Sequence, residues 1–127
     1  MLNLYYFDVF ARAEPIRMML SHAKIPFNDI RINGETMKTM KEDGTLEYGQ
    51  VPMLELEDGT KLSQSTAIIN YVATTYGFQP NSPLDVYRGM SIHECVWTDF
   101  GATIPPTIFS PPSPARDAKM EEIKPKF

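Results

Sequence analysis

The sequence predicts an α/β protein in which a four-stranded mixed sheet with helices on its faces is followed by a helical region. A strand, an amphipathic helix and a second strand follow one another within residues 2–32, which is the order of a right-handed parallel βαβ unit. Residues 53–76 then carry the pattern of a hairpin followed by a helix. After residue 84 the apolar residues recur only at helical spacing.

Three patterns define the first βαβ unit. Leu2–Phe7 is a continuous apolar and aromatic run, which indicates a buried strand. Glu14 and Pro15 are typical of a helix start, and apolar residues follow at helical spacing, so a helix is predicted from Ala13 to Lys24. Phe27–Ile32 alternates apolar and polar residues, as a second strand would.

The remaining strands form a hairpin. Asp58-Gly59 separates two short runs, Met53–Glu57 and Lys61–Ser63, and is a strong hairpin signal. Upstream, Glu35–Glu42 is a short polar helix or an irregular segment. Downstream, a helix is predicted from Ser65 to Tyr76. The complete order, βαβ followed by ββα, matches the thioredoxin-like architecture.

A domain boundary is expected after this last helix. Residues 78–83 hold two prolines and are predicted to form a linker. A long helix is predicted from Leu84 to Gly101, and no regular element is expected from Pro105 to Pro114, which holds five of the 11 prolines. A last helix is predicted from Ala115 to Phe127. The predicted parts are thus residues 1–77 (sheet domain), 78–83 (linker) and 84–127 (partial all-helical domain).

Composition excludes several classes of partner. The 12 Lys and Arg against 16 Asp and Glu give a net charge of -4 that is spread along the chain, so nucleic acid and anionic lipid are not expected to bind. No apolar run nears the roughly 20 residues of a membrane span, and the N-terminus has no charged region of a signal peptide. The single cysteine, Cys95, fits a reducing compartment. A cytoplasmic location is therefore expected.

Missing residues exclude further chemistries. Thiol–disulfide exchange needs a nucleophilic cysteine in the loop after the first strand, and Asp8–Arg12 contains none. His22, His93 and Cys95 are too few and too scattered for a metal site. The sequence contains neither a P-loop nor a dinucleotide-binding glycine pattern. No metal or nucleotide cofactor is expected.

The strongest functional signal lies between Tyr48 and Ser65. The Val51-Pro52 bond is a candidate cis peptide, which would turn the N–H and C=O of Val51 outward to pair with an extended ligand. Gln64 and Ser65 precede a helical pattern, where a carboxylate is favoured. These features predict a site for a small anionic peptide, although a plain hairpin backed by a capped helix accounts for the same residues.

Six other side chains are candidates, each with an ordinary structural alternative. Tyr5 and Tyr6 point to opposite faces of the first strand, so one of them can donate a hydrogen bond to a thiolate or oxyanion, unless both pack in the core. Arg12 precedes a helix N-terminus and needs a carboxylate partner, from Glu14 or from a ligand, unless it is a surface arginine. The others are either solvent-exposed or functional: Lys41 for a second carboxylate, Tyr48 as an anchor in a partner's pocket, and Asp99 for a ligand amine.

Three motifs at compatible spacings carry a family likeness. They are Leu4-Tyr5-Tyr6-Phe7 followed by Arg12-Ala13-Glu14-Pro15-Ile16-Arg17, then Tyr48-Gly49-Gln50-Val51-Pro52-Met53-Leu54, and Leu62-Ser63-Gln64-Ser65-Thr66-Ala67-Ile68. Together they resemble the cytosolic glutathione transferases of the tyrosine type (alpha, mu, pi and sigma classes). The resemblance runs from residue 2 to about residue 103 and is strong over residues 1–77.

The resemblance implies a glutathione site centred on a tyrosine. Tyr6 would stabilise the thiolate of glutathione, which is the nucleophile, and Arg12 is assigned to the catalytic site beside it. Val51, before Pro52, would pair with the cysteinyl backbone of glutathione. The other implied contacts are Gln64 and Ser65 for the γ-glutamyl end, Gln50 beside them, Lys41 for the glycine carboxylate, and Asp99 for the glutathione of a neighbouring subunit.

The resemblance also implies an activity and an assembly. Glutathione would be the co-substrate, conjugated without a metal to small hydrophobic electrophiles in a detoxification role, with a sigma-like isomerase as a variant. The alternative is a non-catalytic structural or interaction subunit. Val9, Phe10, Ile104 and Ile108 would line the electrophile pocket. Tyr48 would enter a pocket of a second subunit, so a dimer of identical or related subunits is expected.

The chain departs from the family pattern in three places. Met37 stands where several classes carry a tryptophan that touches glutathione, and Phe10-Ala11 replaces the usual arginine-glycine pair. Family members continue for roughly another 80 residues of helical domain by this resemblance. The chain is therefore expected to end early in that domain, either as a fragment of a longer enzyme or as a shortened relative.

Overall fold

The computed structural model describes residues 1–101, 107 and 110–123, and within them every side chain except those of residues 99, 100 and 123. The chain divides into two compact units, Met1–Gln79 and Pro80–Phe127. Most of the predicted site residues belong to the first unit, which contains the sheet.

The first unit is built on a four-stranded sheet with the strand order β2-β1-β3-β4. Its elements are β1 (Leu2–Phe7), α1 (Glu14–His22), β2 (Phe27–Ile32), α2 (Gly34–Glu42), β3 (Met53–Glu55), β4 (Lys61–Ser63) and α3 (Ser65–Thr75). β1 is parallel to β2, whereas β3 is antiparallel to both β1 and β4. The predicted α/β class, with its βαβ-ββα order and mixed sheet, is confirmed.

The main core lies between the sheet and helices α1 and α3. Alternation along β1 places Leu2, Leu4 and Tyr6 on the buried face. Leu4 pairs in register with Leu54 of β3, and both are fully buried. Ile16 and Leu20 from α1 and Ile68 and Val72 from α3 complete this layer. Each large apolar side chain contributes about 1.5–3 kcal/mol by leaving water, so the layer fixes β1 and with it Tyr6.

A smaller cluster on the other face of the sheet holds α2 in place. Its buried members are Ile32, Met40, Leu46 and Met53, with Tyr5, Phe7, Ile30, Met37 and Val51 packed against them. Asn33 caps the helix, because its side-chain oxygen accepts a 2.8 Å hydrogen bond from the Thr36 N–H. Glu35–Glu42, for which the sequence allowed either a helix or an irregular segment, is therefore part of a capped helix.

Several element boundaries differ from the predictions by a few residues. Helix α1 begins after a 3-10 turn over Ala11–Ala13 and ends at His22, because Lys24 has a positive φ of 58° that breaks the helical hydrogen bonding. Strand β3 ends at Glu55. There Leu56 begins the turn instead, its N–H donating to Thr60 O and its C=O accepting from the Gly59 N–H.

The second unit contains helix α4 (Pro83–Glu94), which passes into π-helical turns over Cys95–Phe100, and helix α5 (Pro114–Ile123). The long helix predicted from Leu84 to Gly101 is thus present with a change of hydrogen-bond period. The expected absence of regular structure from Pro105 to Pro114 is wrong at Thr107, which is helical and buried. Within the described ranges, no helix is long and apolar enough to cross a membrane.

Candidate functional site

A cleft of about 490 Å³ opens beside the end of β1 in the first unit. Its lining residues are Phe7, Arg12, Met37, Lys41, Gly49, Gln50, Val51, Pro52, Gln64 and Ser65. The fold therefore brings together seven residues that the sequence nominated: Arg12, Lys41, Gln50, Val51, Pro52, Gln64 and Ser65. Met37, for which the sequence resemblance implies the place of a tryptophan, also lies in the lining.

One wall of the cleft is the turn that leads into β3. Gly49 has a φ of +62°, a left-handed conformation that suits glycine, and the Val51-Pro52 bond is cis, as predicted. A Cβ built on Gly49 would lie 3.7 Å from Cε and 3.8 Å from Cγ of Lys41. The methylene stem of Lys41 thus packs over this turn, which ties α2 to the wall formed by Gln50 and Val51.

The start of α3 forms a second part of the lining. Gln64 stands immediately before the helix with a φ of 71° and a ψ of 113°, an uncommon conformation for a residue with a Cβ. Its side-chain amide donates a 3.1 Å hydrogen bond to the side-chain oxygen of Gln50. Ser65, the first helical residue, is buried. Because the first N–H groups of a helix lack intrahelical acceptors, this corner can bind a carboxylate.

The charge of the cleft also suits an anion. Arg12 and Lys41 contribute two cations, whereas the other lining residues given by the structure are neutral. Together with the N-terminus of α3, these cations make the cleft attractive to a ligand that carries more than one carboxylate.

Tyr6 lies next to the cleft rather than on its lining surface. Its side chain is buried in the main core, and its hydroxyl oxygen accepts a 3.4 Å hydrogen bond from the backbone N–H of Arg12. Because this bond uses a lone pair, the hydroxyl hydrogen can still be donated to another acceptor. The connection runs through Arg12, which does line the cleft.

Tyr5 has its hydroxyl engaged in a hydrogen bond away from Tyr6. It points to the other face of the sheet, where its hydroxyl donates to the Glu55 carboxylate at 3.0 Å. Burial, followed by this bond and the negative charge of Glu55, raises the pKa of Tyr5. In return, hydrogen bonds from Asn3 and Tyr5 lower the pKa of Glu55. Of the two tyrosines, Tyr6 is therefore the one whose hydroxyl is hydrogen-bonded to a residue of the cleft lining.

Comparison with known proteins identifies the family. Residues 2–74 match the model of the glutathione S-transferase N-terminal domain, which is more than half of the chain. The chain belongs to the glutathione S-transferase family. This confirms the resemblance found in the sequence motifs.

Individual glutathione S-transferases and related structures are similar along most of the chain. A glutathione S-transferase of Anopheles gambiae is 35% identical over 120 residues, which cover 93% of this chain and 56% of the relative. The structure of prostaglandin synthase D of Nilaparvata lugens has a TM-score of 0.80 at 31% identity and covers 95% of this chain and 59% of that one. Monomeric Na-GST-3, a glutathione S-transferase of Necator americanus, has a TM-score of 0.78 at 31% identity, with 95% and 58% coverage. The chain thus spans little more than half the length of these relatives.

Arg17 is a structurally central residue that belongs to a glutathione S-transferase motif but carries no sign of a site role in the sequence. Its guanidinium is buried on α1 and binds Glu14 at 3.0 Å, Asp29 at 3.1 Å and the carbonyl oxygen of Val9 at 3.0 Å. Arg17 Cζ also lies 5.8 Å from the centre of the Tyr6 ring. A charged residue on a helix is usually exposed, so the sequence offered no signal of this burial beyond the acidic residues at Glu14 and Asp29.

Several predicted glutathione S-transferase residues are not placed in the cleft. Val9 and Phe10 are exposed, at 51% and 75%, and do not belong to the cleft lining given by the described residues. Tyr48 is 59% exposed and borders a separate groove with Tyr71. The side chain of Asp99 and the whole of Ile104 and Ile108 lie outside the described residues. Among the residues that the structure describes, no cluster of potential metal ligands occurs.

Proposed function

We propose that this chain binds glutathione in the cleft beside β1 and conjugates its thiolate to small hydrophobic electrophiles. The observation that carries the proposal is the convergence of Val51, Gln64 and Ser65 on one cleft that also contains Arg12, the residue bonded to Tyr6. The family membership supports the same assignment. Detoxification in the cytoplasm is the physiological role that we propose for this reaction.

The cleft offers a recognition group for each part of glutathione. Val51, which lines the cleft, would pair its backbone with the cysteinyl backbone of glutathione. Gln64 and Ser65 at the start of α3 would receive the γ-glutamyl carboxylate, with Gln50 beside them. Lys41 would bind the glycine carboxylate, since its stem already packs against the Gly49 turn.

Tyr6 would act on the sulfur. A hydroxyl that donates a hydrogen bond to a thiolate stabilises the anion more than the neutral thiol, so the thiol loses its proton to solvent more readily. The thiolate then attacks the electrophilic carbon. With an aryl halide, a carbon–sulfur bond forms and the halide leaves with the electron pair of the broken carbon–halogen bond. The backbone N–H of Arg12 would hold the Tyr6 hydroxyl in place, and the Arg12 side chain would add positive charge near the sulfur.

The electrophile would bind beside the cleft, at the loop between β1 and α1. Val9 and Phe10 present exposed apolar surface on the loop that carries Arg12, and we propose that this surface covers a hydrophobic substrate. Removal of this surface from water on substrate binding would be favourable.

Conjugation of a chromogenic aryl halide by the protein and by Tyr6→Phe tests the proposal. Loss of one hydrogen bond to a charged group costs about 1.5–3 kcal/mol, so kcat/KM should fall on the order of 10- to 100-fold in the variant. Tyr87→Phe, which removes an exposed hydroxyl on α4, serves as the matched control and should keep the wild-type rate. A folded wild-type protein that binds immobilised glutathione but shows only the uncatalysed rate would establish the non-catalytic alternative.

A sigma-like isomerase reaction is the second candidate. It is favoured by the likeness to prostaglandin synthase D of Nilaparvata lugens. In this reaction, the glutathione thiolate would attack the substrate and be released again with the rearranged product. Product formation without net loss of glutathione distinguishes it from conjugation.

We also propose that the active form is a dimer of identical or related subunits. Tyr48 is a large exposed aromatic side chain on the rim of the first unit, which suits insertion into a partner's pocket, and Asp99 would reach the glutathione of the partner. Tyr48→Ala should raise the dimer dissociation constant on the order of 10-fold or more, measured by analytical ultracentrifugation. Met18→Ala, which shortens another exposed apolar side chain, is the control. A wild-type protein that sediments as a monomer at all concentrations, like the monomeric hookworm relative by its name, would contradict the dimer.

A further inference from the structure

Arg17 holds the loop between β1 and α1 by its backbone. One terminal nitrogen of the guanidinium donates to the carbonyl oxygens of Val9 at 3.0 Å and Phe10 at 3.3 Å. Only 8% of the Arg17 side chain is exposed. The same terminal nitrogen, Nη1, also donates to Glu14, and Nε donates to Asp29. Three N–H groups therefore face four acceptors, and one of these N–H groups is shared between two acceptors. A lysine ammonium carries its donors on a single nitrogen, so it could not bind the loop carbonyls and Asp29 from two separate nitrogens as Arg17 does.

The guanidinium is itself fixed by elements other than the loop. Its Nε donates to Asp29 on β2 at 3.1 Å, and Glu14 at the start of α1 accepts at 3.0 Å. The second carboxylate oxygen of Asp29 is held by Arg31 at 2.6 Å. The remaining terminal nitrogen of Arg17 is buried without a hydrogen-bond partner in the described part of the chain. The loop is therefore bonded to a cation whose position is set by α1 and β2.

The held loop controls a weak contact at the Tyr6 hydroxyl. The N–H of Arg12 reaches this oxygen at 3.4 Å, which is the long end of the hydrogen-bond range. Ala11 lies in the chain between Phe10, whose carbonyl Arg17 binds, and Arg12. It has a positive φ of 31°, which is unfavourable for a residue with a Cβ. Without the bonds from Arg17, relaxation of Ala11 would move Arg12 away from Tyr6.

We propose that Arg17 is a positioning residue for the proposed conjugation: by binding the carbonyls of Val9 and Phe10, it keeps the Arg12 N–H on the Tyr6 hydroxyl. The inference rests on the proposed function of the cleft. A hydroxyl that accepts a hydrogen bond becomes a stronger donor, so the Arg12 contact both orients and strengthens the bond from Tyr6 to the thiolate. The residues proposed to bind glutathione, Lys41, Gln50, Val51, Gln64 and Ser65, come from other segments. Loss of Arg17 therefore lowers kcat while the KM for glutathione changes little.

Steady-state kinetics of Arg17→Gln and Arg17→Lys in the full chain test this role. A misplaced catalytic group typically costs up to 100-fold, so kcat should fall on the order of 10- to 100-fold in both variants, with the glutathione KM close to wild type. Amide hydrogen exchange in residues 8–12 should become faster, while exchange in α3 stays unchanged. Arg88→Lys is the control, because Arg88 is an exposed arginine on α4 that pairs with Asp85 at 2.9 Å; it should keep both kcat and loop exchange.

The outcomes separate this inference from the proposed function. An inactive wild-type protein contradicts the conjugation itself. In that case, amide hydrogen exchange in residues 8–12 and a separate measurement of glutathione binding still show whether Arg17 holds the loop. An active wild-type protein with undiminished kcat in both Arg17 variants overturns the positioning role. An equal loss of kcat, glutathione affinity and exchange protection throughout the first unit means that Arg17 is only structural. If Arg17→Gln does not fold, Arg17→Lys carries the test, and failure of both to fold also overturns the proposal.

Discussion

Ala11 adopts a backbone conformation that a glycine would adopt more easily. Its φ of 31° brings Cβ close to the backbone, which costs about 1–2 kcal/mol. Ala11→Gly removes this cost but makes the unfolded chain more flexible, at about 0.4–1 kcal/mol. We therefore expect a net increase in the free energy of unfolding of up to about 1 kcal/mol, measured by denaturant titration.

Two further variants check the sign of this effect. Ala11→Val should lower the free energy of unfolding by about 1 kcal/mol or more, since a β-branched residue tolerates positive φ poorly. Ala73→Gly places the same substitution inside α3, where φ is helical, and should lower stability by about 1 kcal/mol. Equal effects of the two glycine substitutions would show that Ala11 is unstrained.

At the scale of elements, α2 links stability to the cleft. The Asn33 side chain accepts from the N–H of Thr36 at 2.8 Å, and the helix that it caps carries Met37 and Lys41 into the cleft lining. Asn33→Ala removes this cap and should lower stability by about 1 kcal/mol. Glutathione affinity should fall with it, measured by isothermal titration calorimetry, because Lys41 is less well ordered.

Asn33→Asp is the control for this change. Aspartate caps a helix about as well as asparagine, so the variant should keep both stability and glutathione affinity. Reduced affinity in Asn33→Asp with unchanged stability would indicate that residue 33 acts on the ligand through charge and not through the helix.

The elements were predictable where one simple pattern dominates. The apolar run Leu2–Phe7 locates β1 to the residue, and the apolar residues of Phe27–Ile32 locate β2. In β2 these residues serve both faces of the sheet, since Phe27 packs against the main core and Ile30 against the smaller cluster. The end of α1 was not predictable, since a lysine at position 24 gives no sign of its left-handed backbone. The short β3 ends at Glu55 because the turn begins earlier than the Asp58-Gly59 signal suggests.

The residues that line the cleft were predictable from the sequence, whereas the buried arginine that holds the neighbouring loop was not. Val51, Gln64 and Ser65 stand next to a proline and a helix start, both of which are visible in the sequence. Arg17 was missed as a site residue because its role depends on carbonyls of Val9 and Phe10 that only the folded loop presents. Burial of a cation depends on where its acidic partners lie in three dimensions, which residue type alone does not reveal.

For the whole molecule, stability should decline at both ends of the pH scale. Hydrogen bonds from the side chain and backbone of Thr45 lower the pKa of Asp43, and those from Thr60 do the same for Asp58. A carboxylate whose pKa is lower in the folded state stabilises the fold above its unfolded pKa of about 4. This stabilisation is lost as pH falls through the folded pKa values. At high pH the sign reverses, because burial raises the pKa of Tyr5 and Tyr76, so stability is lost as pH rises above about 10.

Tyr5 and Glu55 contribute to opposite ends of this pH dependence, because the pKa of Tyr5 is raised and that of Glu55 is lowered. Substitutions of these two residues therefore test it. Glu55→Gln removes an acid whose pKa is lowered by bonds from Asn3 and Tyr5, so the fall in melting temperature between about pH 5 and pH 2 should become shallower than in wild type. Tyr5→Phe removes one donor to Glu55 and one half-buried phenol, so it should flatten both the acid and the alkaline decline. Melting temperatures measured by circular dichroism, between about pH 2 and pH 5 and again above about pH 10, test both predictions. An acid slope in Glu55→Gln as steep as that of wild type would mean that Glu55 does not contribute to the acid loss of stability.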